Sequence, residues 1–224
     1  MTSNHPVTDA ALLSGWADAL SALSNSASDP QIQTLGRDLL GRWREPHRRY
    51  HGPVHLVAGL EALAQLGAAP VEVVAWWFHD AVHHNDSPWD EQKSAALVRD
   101  QLAGLVSQDQ VEEIARLVLL TINHDPAASD LPGHRICDAD LVMLAADWRD
   151  YQHTVELLRQ ERADLPATVW DSMRINFTGR LLNREWLFHS QLGRTHWEQP
   201  ARQNLGAERQ ALFNPHQPDE DTPS

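Results

Sequence analysis

Residues 70–83 read Pro-Val-Glu-Val-Val-Ala-Trp-Trp-Phe-His-Asp-Ala-Val-His. This is the most apolar stretch of the chain, and the proline at its start favours the first turn of a helix. His79 and Asp80 stand side by side near its end, and neighbouring residues on a helix point about 100° apart. A carboxylate in an apolar run needs a partner, because a buried unpaired charge is costly. A metal ion lying between the two side-chain directions would supply that partner.

Helical patterning continues through most of the chain. The spacing of apolar residues and the positions of proline and glycine predict helices over 9–24, 30–44, 53–66, 70–83, 90–106, 109–123, 137–162, 166–191 and 197–212. Runs of alternating β-branched residues are absent from the sequence, which argues against a sheet. We therefore predict an all-α fold in one domain over residues 9–213, with disordered tails at 1–8 and 214–224.

Composition excludes several classes of protein. A length of 224 residues suits one domain, and the single cysteine fits a reducing cytoplasm. The net charge of −13 argues against binding of a nucleic acid duplex, but a bound cation can still hold a phosphate substrate locally. The sequence shows no signal peptide and no apolar stretch near the roughly 20 residues that span a membrane. We predict a cytoplasmic protein with no membrane partner, and the late aromatic residues permit a homodimer.

Two further segments carry residues that can bind a metal. His51 and His55 lie in the segment Tyr-His-Gly-Pro-Val-His, and Asp138 and Asp140 lie in Asp-Ala-Asp-Leu. Imidazole nitrogen and carboxylate oxygen are ligands for Zn²⁺, Mn²⁺, Fe²⁺ and related ions. Each residue alone has an ordinary interpretation: His55 as a histidine bonded to a carbonyl, and His79 as one favoured by a helix C-terminus. The sequence places Asp138 at a helix start, which leaves Asp140 free to point inward.

The ordered set resembles the HD superfamily of metal-dependent phosphohydrolases, whose signature is H…HD…D, and is most similar to a small bacterial branch of unassigned substrate. The likeness covers roughly residues 35–210. It implies a single-domain HD-type helical bundle in which different helices supply the ligands of one divalent ion (Mn, Mg, Zn, Fe, Co or Ni). The implied ligands are His55, His79, Asp80 and Asp140.

Cyclic-nucleotide phosphodiesterases, a related group, have a similar histidine pair in which one histidine binds metal and the other donates a proton. By that resemblance His51 is the catalytic acid, and the reversed assignment, with His51 as the ligand, stays open. A histidine pKa near neutrality suits proton transfer at about pH 7. Asp80 is expected both to hold the ion and to accept a proton from the attacking water.

Several residues around this set are further candidates. His124, His83 and Glu91 could bind a second ion or the substrate, since some HD proteins hold two metals. For His83 a solvated loop is the competing interpretation, and for Glu91 an acidic residue in the first helical turn. Arg48 and Arg49 are candidates for binding phosphate: one is expected to hold it by a bidentate contact, and the other to lie on the surface.

The resemblance implies hydrolysis of a phosphate ester, with a nucleotide or another small phosphorylated metabolite as substrate. Three other classes stay open. The first is a di-iron HD-type oxygenase, and the second is a nucleotide-binding sensor with little turnover. The third, a helical structural protein, leaves Asp80 within its apolar run unexplained. The sequence contains no GxSxG, Walker or GxGxxG motif.

Overall fold

The computed structural model describes residues 7–24 and 26–213. Within these residues eleven α-helices follow one another with no strand between them, and the prediction of an all-α fold is confirmed. The helices are α1 (Asp9–Leu23), α2 (Asp29–Trp43), α3 (Pro53–Gln65), α4 (Pro70–His79), α5 (Trp89–Gln101), α6 (Gln108–Leu120), α7 (Leu131–Leu141), α8 (Trp148–Glu161), α9 (Ala167–Leu182), α10 (Gln191–His196) and α11 (Glu198–Phe213).

The chain forms two compact units, one up to Asp140 and one from Leu141 onward. The predicted domain bounds of 9–213 stay a prediction. Of the predicted tails, residues 1–6 and 214–224 lie outside the described residues. Thr8 belongs to the fold rather than to a tail, because its hydroxyl accepts a hydrogen bond from Ala11 N and caps α1. No helix in the described part of the chain is long and apolar enough to cross a membrane.

Helix α4 lies at the centre of the first unit. Its apolar run is completely buried from Val74 to Phe78, and it packs against α1, α3, α5 and α6. The indole of Trp16 on α1 contacts that of Trp77, with ring centroids 5.5 Å apart. Burial on all sides explains why this helix is apolar around its whole circumference rather than along one stripe.

Helix α4 ends at His79, four residues before the predicted end at 83, and Asp80 is its C-cap with φ −109° and ψ 22°. The residues after it bond to α5 instead of continuing the helix. Ser94 Oγ accepts a hydrogen bond from Val82 N at 3.0 Å, and Asp90 Oδ2 accepts from His84 N at 2.6 Å and from Asp86 N at 2.9 Å. Because Asp80 lies outside the helix, its side-chain direction is not bound by the 100° step from His79.

In the second unit two of the predicted helices differ from the observed ones. The helix predicted over 137–162 is interrupted by a 3₁₀ turn at Val142–Ala145 and by extended backbone at Ala146. The Asn204 amide donates to the carbonyls of Leu144 and Ala146, at 2.9 and 2.8 Å, and holds this break. A side chain of α11 thus satisfies these two carbonyls in place of the helical hydrogen bonds that they would otherwise accept.

The helix predicted over 166–191 ends at Leu182, and α10 begins at Gln191. Between them the Glu198 carboxylate accepts hydrogen bonds from the backbone N–H groups of Leu187 and Phe188. Arg202 donates to carbonyls in the same segment. Leu187 and Phe188 are thereby held in the core of this unit, which also includes Leu141, Leu181, Ala201 and Leu205.

Candidate metal centre

The first unit brings four sequence-predicted side chains together. His55 lies in the first turn of α3, His79 is the last residue of α4, Asp80 caps that helix, and Asp140 lies in the last turn of α7. Both histidines are about 2% exposed. The predicted helix start at Asp138 is wrong, because α7 begins at Leu131, and so both aspartates of this segment lie within the helix.

The distances within this group match those expected around one ion. His55 Nε2 lies 3.2 Å from His79 Nε2, 3.1 Å from Asp140 Oδ1 and 3.7 Å from Asp80 Oδ2. His79 Nε2 lies 3.2 Å from Asp80 Oδ2 and 3.8 Å from Asp140 Oδ1. Ligands about 2.1 Å from an ion are about 3.0 Å apart at right angles and about 3.4 Å apart at a tetrahedral angle. His55, His79 and Asp80 each offer a ligand atom within 4.8 Å of the others and could hold one divalent ion. Asp140 lies beside them, near both histidines.

Trp76 orients the imidazole of His79 from the side of the ring that faces away from the site. The ring Nδ1 lies 2.8 Å from the Trp76 carbonyl, so Nδ1–H donates to that carbonyl and Nε2 faces the site, where it offers a lone pair once its own proton has left. The Trp76 indole stacks on the same ring at a centroid distance of 3.9 Å and donates to the Leu56 carbonyl on α3. Trp76 therefore fixes the position of His79 relative to the helix that carries His55.

Small residues on α3 allow this approach. A Cβ added at Gly59 would overlap the Trp76 ring, so only glycine lets α4 come this close. Gly59 lies one helical turn after His55, on the same face. The close packing that the small residues of this face predict is therefore confirmed, and its partner is an aromatic ring.

Charges in the group strongly perturb its titration. Burial opposes ionisation of Asp80 and Asp140, but the neighbouring histidines hold the pKa of both carboxyls well below the usual range. Burial would lower the pKa of His79, yet Asp80 and Asp140 raise it to about 9. For His55 burial prevails and lowers the pKa, so that imidazole is neutral near pH 7. The site is built to hold positive charge.

One buried atom of the group lacks a hydrogen bond. Among the described residues Asp80 Oδ2 is shielded from solvent and has no hydrogen-bond partner, although His79 Nε2 lies 3.2 Å away. Such an oxygen is costly unless a cation or a proton satisfies it. The donor set of two imidazoles and carboxylate oxygen suits Zn²⁺, Mn²⁺ or Fe²⁺. These residues fit a divalent ion.

His51 and His83 lie next to this group. Their rings are 4.2 Å apart between centroids, and the His51 ring is 5.6 Å from that of His55. His83 is buried rather than part of a solvated loop, and its Nδ1 lies 3.9 Å from Asp80 Oδ1, the carboxylate oxygen that faces away from His55. Both histidines are thus near enough to act on a group bound at Asp80.

His124 acts on the site through Asp140. Its Nε2 lies 2.7 Å from Asp140 Oδ2, and so it contacts the carboxylate oxygen that does not approach His55. Its backbone has a positive φ of 52°, and its N–H donates to the Leu120 carbonyl at the end of α6. The turn that follows the helix therefore holds the backbone from which the imidazole reaches Asp140. A hydrogen bond of this kind orients a ligand carboxylate.

Arg48 has a different role from the predicted one. Its five N–H groups make five hydrogen bonds: two to the Glu45 carboxylate and three to the carbonyls of His51, Asp80 and Ala81. Its guanidinium side chain is completely buried. No N–H group remains for a substrate, which corrects the assignment of Arg48 to phosphate. It instead joins the backbone of the candidate acid His51 to that of Asp80.

Arg49 and Glu91 complete the predicted set. Arg49 is exposed, and its phosphate contact stays a prediction. Glu91 lies in the first turn of α5, as expected, but its Oε2 is buried and has no hydrogen-bond partner within residues 7–24 and 26–213. The sequence did not identify Trp76 as a support for the site, although its position three residues before His79 signals a shared helical face.

Comparisons with protein-family models, with curated proteins and with solved structures returned no match for this chain.

Proposed function

We propose that this protein is a metal-dependent phosphohydrolase that acts on a nucleotide or another small phosphorylated metabolite. The observation that supports it best is the convergence of His55, His79, Asp80 and Asp140, with five interatomic distances between 3.1 and 3.8 Å. Their order along the chain is that of the HD signature. A divalent ion held by these residues would polarise the phosphoryl oxygens and lower the pKa of water.

The residues around the site have distinct parts in this proposal. Asp80 accepts a proton as water attacks phosphorus, because its carboxylate is ionised and lies at the candidate metal centre. His51 protonates the departing alkoxide from beside His83, whose ring supports it. Arg49, exposed and two residues before His51 in the sequence, contacts the phosphate and stabilises the negative charge that develops on it.

The test is elemental analysis of the purified protein, combined with phosphate release from a panel of nucleotides and phosphorylated metabolites with and without Mn²⁺. We expect a bound divalent metal and Mn²⁺-dependent release that EDTA abolishes. Asp80→Ala should lose both while remaining helical by circular dichroism. Asp86→Ala is the matched control, because Asp86 is an exposed aspartate of the loop that follows. Full turnover by Asp80→Ala would contradict the proposed hydrolysis.

The role of His51 has its own test. His51→Ala is expected to keep the metal but lose rate, because His51 acts on the leaving group. If this variant loses the metal instead, His51 is a ligand, and the assignment of His51 and His55 is reversed. His196→Ala, at the end of α10 in the other unit, is a control for the removal of an imidazole elsewhere.

A di-iron oxygenase is the second candidate. The observation that favours it is the second oxygen of Asp80, Oδ1, which lies 3.9 Å from the buried His83 Nδ1 and could bridge to a further ion. Two irons per chain and an absorption band that disappears on reduction would support this candidate. Nucleotide binding without any turnover in the same panel would indicate a sensor.

A further inference from the structure

An ion pair joins the two helices that carry His79 and Asp140, at a distance from the candidate metal centre. Glu72, in the first turn of α4, is completely buried. Its Oε1 accepts a hydrogen bond from Arg135 Nε on α7, 63 residues away in the sequence. Its Oε2 accepts one from the backbone N–H of Ala69 at 2.7 Å. Both oxygens of this buried carboxylate are therefore bonded.

The helical positions show that α4 and α7 meet at two points. Glu72 and His79 are seven residues apart, which places them about 20° from the same face and about 10.5 Å apart along the axis. Arg135 and Asp140 are five residues apart, about 7.5 Å along their helix and about 140° around it, so the long Arg135 side chain reaches Glu72 from a different face of α7 than the one that carries Asp140. At the second point His79 Nε2 lies 3.8 Å from Asp140 Oδ1. In both helices the residue of the ion pair precedes, and the residue of the candidate metal centre follows, in the N- to C-terminal direction.

We propose that the ion pair of Glu72 with Arg135 is a positioning device for the metal centre, and this inference rests on the proposed function. The pair sets the axial position and rotation of α7 on α4, so that Asp140 reaches the ion that His79 binds. Glu72 is completely buried and the Arg135 side chain is 23% exposed. Ion pairs in such surroundings contribute little net stability compared with apolar packing, and a role in fixing one arrangement is a known use of them. Glu72 and Arg135 touch neither ion nor substrate and act through Asp140.

The first measurement is the affinity of the chelator-treated, full-length protein for Mn²⁺ by titration calorimetry. Arg135→Met, which removes the charge and keeps similar length, is expected to weaken Mn²⁺ binding by about tenfold or more, the range seen when a supporting group of a metal ligand is removed. Arg99→Met is the matched control. Arg99 forms an exposed ion pair with Glu112 that joins α5 to α6, and its loss should leave Mn²⁺ affinity unchanged.

The second measurement separates positioning from a general effect on folding. Arg135→Met is repeated in the Asp140→Ala background, where α7 has no ligand left to position. We expect the substitution to change Mn²⁺ affinity there by less than about twofold, because the two effects are not additive when one residue acts through the other. The same tenfold loss in both backgrounds would show a merely structural role and overturn the inference.

The failures of the two proposals are distinguishable. A wild-type protein that binds no Mn²⁺ or other divalent ion contradicts the proposed function itself. Tight binding by the wild type together with an unchanged affinity in folded Arg135→Met contradicts only the positioning role.

If Arg135→Met does not fold, Arg135→Lys replaces it in the same cycle. Lysine keeps the charge but lacks the planar fork of arginine. We expect a folded Arg135→Lys protein whose Mn²⁺ affinity lies between those of the wild type and Asp140→Ala. Wild-type affinity in this variant would count against the inference.

Discussion

Replacement of Arg48 by methionine tests the most connected side chain of the first unit. Its guanidinium donates to the backbone carbonyls of His51 (3.2 Å), Asp80 (2.7 Å) and Ala81 (3.4 Å). Methionine fills much of the space but donates no hydrogen bond, so three carbonyls lose their partner. It also abolishes the two bonds to the partly exposed Glu45 carboxylate.

The expected cost follows from these bonds. A buried acceptor left without its donor costs about 1 kcal/mol or more, so three carbonyls give about 3 kcal/mol. The pair with Glu45 adds at most about 1 kcal/mol, because solvent screens its exposed end. For a chain of this size, about 3 kcal/mol corresponds to a decrease of roughly 6–12 °C in melting temperature. Mn²⁺ affinity should also decrease, since the Asp80 backbone is no longer held.

The assay is thermal unfolding of the metal-free protein, followed by far-ultraviolet circular dichroism, with Arg44→Met as the matched control. Arg44, four residues earlier, pairs with Asp9 on the surface, where both side chains are about half exposed. Its loss should cost no more than about 1 kcal/mol. If Arg48→Met melts within 2–4 °C of Arg44→Met, roughly the shift for 1 kcal/mol, the carbonyl bonds do not stabilise the fold as argued.

Three further predictions concern protons, packing and a buried charge. Mn²⁺ affinity should rise with pH between about 6.5 and 9, because the proton on His79, whose pKa is raised to about 9, must leave before the ion binds. Without metal the same proton stabilises the fold fully below pH 6.5, and this contribution is lost as pH rises through 9, which pH-dependent urea unfolding measures. Gly59→Ala should destabilise by about 1–3 kcal/mol and weaken Mn²⁺ binding, because its methyl group displaces Trp76. Glu208→Ala should cost about 3–5 kcal/mol in the unfolding of the second unit, because it leaves the buried Arg174 charge without its carboxylate.

Each of these has a control. For the pH dependence, calorimetry in two buffers of different ionisation enthalpy should show proton release on binding at pH 7, and equal heats would contradict it. Gly41→Ala, where a Cβ meets nothing within 4 Å, should stabilise by up to about 1 kcal/mol instead. Tyr151→Phe removes only the hydroxyl that donates to Glu208, and it should cost less than Glu208→Ala. An equal cost for the two would exclude an unpaired arginine as the cause.

Helix positions could be predicted where the chain itself marks them. Pro30, Pro53 and Pro70 lie at or next to the first residues of α2, α3 and α4, and these three starts are predicted within one residue. The break at Val142–Ala145 could not be predicted, because its cause is the Asn204 side chain about sixty residues away. The residues at a helix start favour that start through their own conformational preferences. A helix can also be ended by a side chain far along the sequence that donates hydrogen bonds to the carbonyls at the break.

In the candidate site too, some features could be predicted from the sequence and others depend on tertiary contacts. The candidate set of His55, His79, Asp80 and Asp140 follows from residue types in a fixed order. The structure groups the first three as possible ligands of one ion and places Asp140 beside the two histidines. The role of Arg48 could not be predicted from the sequence. An arginine beside a metal-binding motif can bind phosphate or can donate hydrogen bonds to backbone carbonyls. Only the folded structure shows that Arg48 donates hydrogen bonds to the carbonyls of His51 and Asp80, which lie in two separate segments of the chain. Residue type limits the chemistry, and tertiary contacts select among the roles that it allows.

Charge balance gives a reason for a divalent ion at this centre. Asp80 and Asp140 contribute two negative charges, and His79 carries a proton below pH 9 while His55 is neutral, so the metal-free group has a net charge of −1. Exchange of that proton for one divalent ion makes the group neutral, which suits its buried position. A second divalent ion at the His83 side of Asp80 would bring the charge to +2. An anionic ligand that enters with it would restore the balance, and a phosphate ester is such a ligand. By this charge balance a second ion would be favoured only together with an anionic ligand.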